Sequence, residues 1–130
     1  MITVTAKDAL RAKQITPGWR EGIVVSYTPK VAGTDGSALH VFGIEVADGG
    51  LQVPLKDYQL SEKAISMGKN FLIACGFPKT EWDKLEKGEE GSAQIDPSSC
   101  VNKKIKVFVS NTTFQGRINN EATDFMPLGN

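Results

Sequence analysis

One histidine and two cysteines are all that this 130-residue chain offers of the residue types that most often hold metals or act as nucleophiles. His40 alone cannot supply a histidine pair for zinc. Cys75 and Cys100 lack metal-ligand spacing, and there is no glycine-rich loop of the phosphate-cradling form. No catalytic residue, no metal and no cofactor is therefore expected. An excess of charge is missing too: 15 Lys and Arg balance 15 Asp and Glu, and the pI is near 6.6, which is not the footprint of a strong duplex-DNA binder. The longest apolar stretch, residues 70–76, falls far short of the ~20 residues that span a bilayer, and the N-terminus lacks a basic region followed by an apolar block. The sequence thus predicts a cytoplasmic protein with reduced thiols and no membrane contact.

What is present is a chain of one-domain size, 40% hydrophobic and 23% charged, an ordinary globular balance. Residues 1–14 read as an N-terminal arm, with Ile2–Thr5 as a short edge strand and Ala6–Arg11 as a helical turn. Residues 15–130 read as a single domain. Its first strand, Trp19–Thr28, alternates with period two and is expected to point Ile23 and Val25 inward. Turn chemistry at residues 31–37 separates it from a second strand, Leu39–Ala47, with Phe42, Ile44 and Val46 on one face. A third, Leu51–Leu55, carries Pro54 and so lies at an edge or bulges there.

A helix follows from the N-cap Ser61 to Gly76, its stripe of Ala64, Ile65, Met67, Phe71, Leu72 and Cys75 turned to the core. A shorter helix capped by Thr80 is expected over Glu81–Glu86, with Trp82 and Leu85 on its buried side. The acidic residues here interleave with Lys84 and Lys87 as on a solvated helix face. The fourth strand, Lys104–Val109, is the cleanest alternation, and the fifth runs from about Phe114 to Phe125 with Gly116 as a bulge. Strand-strand-strand-helix-strand-strand is the order of an OB-fold, so the expected class is all-β with one or two helices: a five-stranded Greek-key barrel with a helix between strands 3 and 4.

If the strand faces fall this way, Arg20, Lys56, Tyr58, Lys104, Lys106, Phe108 and Arg117 share the polar side of one curved sheet, with Lys30 and His40 near its rim. Cations that follow phosphates, interleaved with rings on which bases stack, are what unpaired nucleic acid requires. Each residue also has a plainer reading: solvated lysines that discourage edge pairing, Phe108 packed under the arm, Tyr58 against the helix end, and Trp19 and Trp82 as packing anchors.

The stretches Ile15-Thr-Pro-Gly-Trp-Arg-Glu-Gly-Ile-Val24, Leu39-His-Val-Phe-Gly-Ile-Glu-Val46, Lys63-Ala-Ile-Ser-Met-Gly68 and Phe114-Gln-Gly-Arg-Ile-Asn-Asn-Glu-Ala-Thr-Asp-Phe-Met-Pro-Leu128 resemble small tailed-phage replication and recombination proteins, over roughly residues 15–128. Those families are OB-fold-like and include single-stranded DNA-binding proteins. The resemblance implies a viral, non-sequence-specific single-stranded DNA-binding protein of DNA replication or recombination, working in the host cytoplasm. Its expected partners are single-stranded DNA and replication or recombination proteins, with a homodimer left open. The rival readings are a protein-interaction adaptor of a replication complex and a carbohydrate-binding or virion structural module. The Asp124–Leu128 ending either recruits a partner or, as preferred here, finishes a strand and packs.

Overall fold

Where apolar and polar residues alternate most strictly, the chain is extended. The computed structural model describes residues 1–33 and 35–129; Thr34 of the expected first loop and Asn130 of the expected domain lie outside the described residues. Among these it contains six strands: β1 (Gly18–Val31), β2 (Ala38–Asp48), β3 (Leu51–Pro54), β4 (Tyr58–Ser61), β5 (Lys104–Phe114) and β6 (Arg117–Pro127). They form one antiparallel sheet in the order β3-β2-β1-β5-β6, with β4 also paired to β2. Three short helices accompany it, α1 (Ala6–Arg11), α2 (Lys69–Ala74) and α3 (Lys79–Glu86), with 3₁₀ turns at Glu62–Gly68 and Pro97–Cys100. The chain is mostly β, as its patterning predicts.

The third expected strand is two strands. Pro54 closes β3 because it has no N–H to donate, and after Leu55–Asp57 the chain resumes as β4, so that β2 pairs β3 through Glu45–Asp48 and β4 through Leu39–Phe42. Between the two pieces the Lys56 N–H donates to the Asn120 carbonyl of β6 at 3.0 Å, joining opposite ends of the strand order by a backbone bond. Asn120 itself is buried and engaged through both Oδ1 and Nδ2. Its Oδ1 accepts from the Ile15 N–H at 3.1 Å and from Asn111 Nδ2 at 3.0 Å, while its Nδ2 donates to the Lys13 carbonyl.

The inward face of β1 differs from expectation. Val24 is wholly buried and Val25 is 38% exposed, because Gly22 sits so close to Val107 and Val46 that a Cβ there would be 2.8 Å from the Val107 side chain. That glycine lets β1 nest against β5, and it fixes which parity faces in. A bulge at Val25, between the pairs Val24–Ile44 and Ser26–Gly43, then shifts the parity and turns Tyr27 inward against Phe42. In β2, Phe42, Ile44 and Val46 are buried as expected, as are Ile105, Val107 and Val109 in β5. Leu51, expected inside, is 45% exposed at the start of β3.

The single helix expected over residues 61–76 is broken. Ser61 does cap it, accepting from the Lys63 N–H, but the first part is 3₁₀ with a non-helical Ala64, and α2 begins only after Gly68. Gly68 is buried against Leu60, where a Cβ would be 2.7 Å from either Leu60 methyl, and this close approach sets where α2 starts. Met67 consequently points to solvent, whereas Phe71, Leu72 and Cys75 are buried. Phe71 is the plug: its ring lies 4.7–4.9 Å from those of Phe42, Tyr58 and Phe125, and burying it contributes about 1.5–3 kcal/mol. α3 starts at Lys79 after Pro78, with no Thr80 cap, and keeps Trp82 and Leu85 half-buried.

Gly116 is not a bulge. With Gln115 it forms a two-residue turn, both at positive φ, that makes β5 and β6 a hairpin; the bulge of that hairpin is at Thr123. Ile2–Thr5 form no strand; Thr5 instead caps α1 in a reciprocal box with Asp8. Phe125 is buried and Asp124 accepts from Asn70, so this ending of the chain finishes a strand and packs. Cys75 and Cys100 are free and buried.

Replacing Asn120 by Ala strands the buried Ile15 N–H and the Asn111 amide, and is expected to cost about 1–3 kcal/mol. Urea unfolding measures this; an unchanged midpoint would show that the arm is not fastened there.

Candidate nucleic-acid interface

Because Ile105, Val107 and Val109 face the core, the alternate residues of β5 face outward in sequence: Lys104, Lys106, Phe108, Ser110, Thr112, Phe114. The neighbouring strand sets its own outward residues opposite these, with Ile23 across from Lys104, Glu21 across from Lys106 and Trp19 across from Phe108. The indole of Trp19 meets the Phe108 ring edge-on at a centroid separation of 5.4 Å and remains 44% exposed. Further along, Phe114 and Arg117 face each other beside the hairpin turn, Phe114 being 67% exposed. At strand spacing the two aromatic positions on β5 are about 20 Å apart.

Of the residues expected on one cationic face, this surface brings together Lys104, Lys106 and Phe108, with Arg117 at its far end. Lys30 shares the outward parity but lies about 20 Å along β1 from Ile23, near the β1–β2 loop. Lys56 stands beyond β6, in a hollow shared with Glu121. Three of the residues belong elsewhere. Arg20 has the inward parity of Gly22 and Val24; its guanidinium spans Asp48 at 2.8 Å, the Ala47 carbonyl at 3.3 Å and the Thr16 carbonyl at 2.8 Å. Its Nε is the buried side-chain polar atom left without a partner among the described residues.

Tyr58 is packed between Phe71 and Phe125, and that burial raises its phenol pKa. His40 sits inside the other end of the sheet, Nδ1 at 2.7 Å from the Tyr27 hydroxyl and Nε2 against Glu62. Parity explains all three. The sequence showed that β1 alternates but not which side faces in, and Pro54 concealed the split that carries Tyr58 inward.

The surface is also less positive than expected. Glu21, Glu121 and Asp124 lie directly across from Lys106, Ser110 and Phe108, and Glu45 lies across from Ile23. Glu121 is occupied by Thr112, and Asp124 by Asn70 and its neighbour's N–H. No ion pair engages Lys104, Lys106 or Arg117 among the described residues, whereas Lys13 and Arg20 are spent on Asp48, whose carboxyl pKa they hold below its usual value, Lys13 foremost. Trp19, read from sequence as a packing anchor, is the ring that the sequence reading missed. The signal was present in Gly22: a strand glycine that seats a neighbouring strand marks the inward parity, which puts Trp19 outside.

No family model and no curated protein matches the chain. Among the described residues no group of three or more His, Cys, Asp or Glu is placed to hold a metal ion, and no helix is long and apolar enough to cross a membrane.

Arg20→Ala removes two hydrogen bonds that tie β1 to the end of β2 and a third to the Thr16 carbonyl, and is expected to lower stability by about 1–2 kcal/mol. Oligonucleotide affinity, measured on the folded variant, should not change; a selective loss of binding with stability intact would return Arg20 to the interface.

Proposed function

We propose that this protein is an OB-fold-like single-stranded DNA-binding protein that holds the unpaired strand along the outward face of β1 and β5. The observation that carries the reading is Trp19, 44% exposed, set edge-on against the half-buried Phe108 and beside Lys104 and Lys106, which no ion pair engages among the described residues. Rings of this kind accept any base by its π-face, and the ammonium groups offer phosphate contacts without sequence preference. Topology adds support. Taken as one interrupted strand, β3 and β4 leave a five-strand order with helix α2 between the third and fourth, and the Lys56–Asn120 bond joins the ends.

The resemblance of residues 15–128 to tailed-phage replication and recombination proteins gives the setting: a viral protein that shelters transient single strands in the host cytoplasm. The carboxylates of Glu21, Glu45 and Asp124 limit how closely phosphates pack, so the complex is of moderate affinity with a shallow salt slope, few cations being available to release counterions. A second reading, docking of a replication protein on the same face, draws on the exposed apolar side chains of Val25 and Met126, 38% and 43% exposed. Capture of a partner that survives nuclease treatment, with no oligonucleotide binding, would favour it.

Titration of labelled oligo-dT at two salt concentrations should give saturable binding that weakens modestly with salt; no binding in low salt would end the proposal. Lys104→Glu combined with Lys106→Glu should weaken that binding about tenfold or more while leaving the circular dichroism unchanged.

Trp19→Ala should cost ~1–3 kcal/mol of binding, one base stack, since the ring is already half in solvent. Equal affinity for wild type and variant would move the site off this face.

A further inference from the structure

On the other side of the molecule a cleft of about 760 Å³ opens between the end of the sheet, the turn leading into α2, α3 and the segment 93–97. Its volume is in the ~300–1,000 Å³ range of small-molecule sites, and it has their composition of apolar walls with a few polar groups. Phe42, Leu60, Leu72, Phe77, Trp82 and Ile95 form its floor and sides. We propose that this cleft binds a small apolar cation: a hydrocarbon or aromatic body carrying a protonated amine.

Charge decides the class. The ionisable lining is Glu62, Glu86, Asp96 and His40, and no lysine or arginine lines the cleft. Each carboxylate already accepts a bond through one oxygen, Glu62 Oε1 with His40, Glu86 Oε1 with Lys69 and Trp82, Asp96 Oδ1 with Ser98. The second oxygen of each, Glu62 Oε2, Glu86 Oε2 and Asp96 Oδ2, has no hydrogen-bond partner among the described residues, so each of these lining carboxylates keeps acceptor capacity for an occupant's ammonium.

The molecule also supplies its own example of such an occupant's head group. The Lys69 ammonium of α2, outside the lining residues, stands 2.5 Å from Glu86 and 6.0 Å from the Trp82 ring, a carboxylate and a π-face acting on one cation. An anionic or phosphorylated ligand would meet the same carboxylates as repulsion, which separates this cleft from the nucleic-acid face and makes the two proposals independent.

The test uses the full chain carrying Trp19→Phe, which leaves Trp82 in the cleft wall as the only indole. Nonylamine, nonanol and nonanoate, kept below their micelle concentrations, are titrated against its emission. The expected result is a saturable change with the amine bound more tightly than the alcohol and the carboxylate weakest. Ala93→Phe, which fills the cleft from a segment outside the sheet, should weaken the amine about tenfold, the equivalent of the aliphatic contact it displaces. Glu62→Gln, on a side chain 51% exposed whose amide oxygen can still accept from His40, should reduce the preference for amine over alcohol about two- to fivefold, the worth of an exposed ion pair. No saturable response to nonylamine, nonanoate binding as tightly as the amine, or an amine preference that Glu62→Gln leaves intact would each overturn the proposal.

Discussion

Asn120 is the residue through which the two ends of the sheet and the N-terminal arm are held together. Its backbone carbonyl receives the Lys56 N–H, and its side chain receives Ile15 and Asn111 and gives to Lys13. A buried amide is costly wherever its donors and acceptor go unmatched, so this arrangement tolerates one register of β6 against the 55–57 connection and no neighbouring one. Closing the ends in this way gives Phe71 an enclosed place among Phe42, Tyr58 and Phe125. The opposite faces of β1 and β5 present Trp19 and Phe114, 44% and 67% exposed.

Two local features of β1 then sort its side chains. Gly22 brings the strand against Val107 and Val46, and the bulge at Val25 reverses the parity beyond it. Before the bulge, Trp19, Glu21 and Ile23 look outward beside β5; after it, Tyr27 looks inward and reaches His40. One strand therefore serves the outward face with its first half and the interior beneath the cleft with its second.

The neutral net charge hides a division of labour. Among the described residues Lys104, Lys106 and Arg117 make no ion pair on the outward hairpin, while Glu62, Glu86 and Asp96 line the cleft. Exposed charges act over about a Debye length, roughly 8–10 Å at cellular salt, so the local arrangement of charge on each surface matters more than the net value.

Strict alternation in Lys104–Val109 and in Phe42–Val46 determined two strands and their buried faces before any coordinates, and Ser61, Gly76 and Pro78 marked where the helical region begins and ends. Such signals are local: an alternating run or a cap depends on residues a few positions away. The direction in which β1 faces, the inward fate of Arg20, His40 and Tyr58, and the exposure of Trp19 depended instead on Val107, Asp48, Phe71 and Phe108, partners remote in sequence for most of them. A period of two says only that two sides differ. Which of them meets the core is settled by the strands that arrive from elsewhere in the chain, and so the candidate surface was half legible as residue types and became a surface only when β1 and β5 were laid side by side.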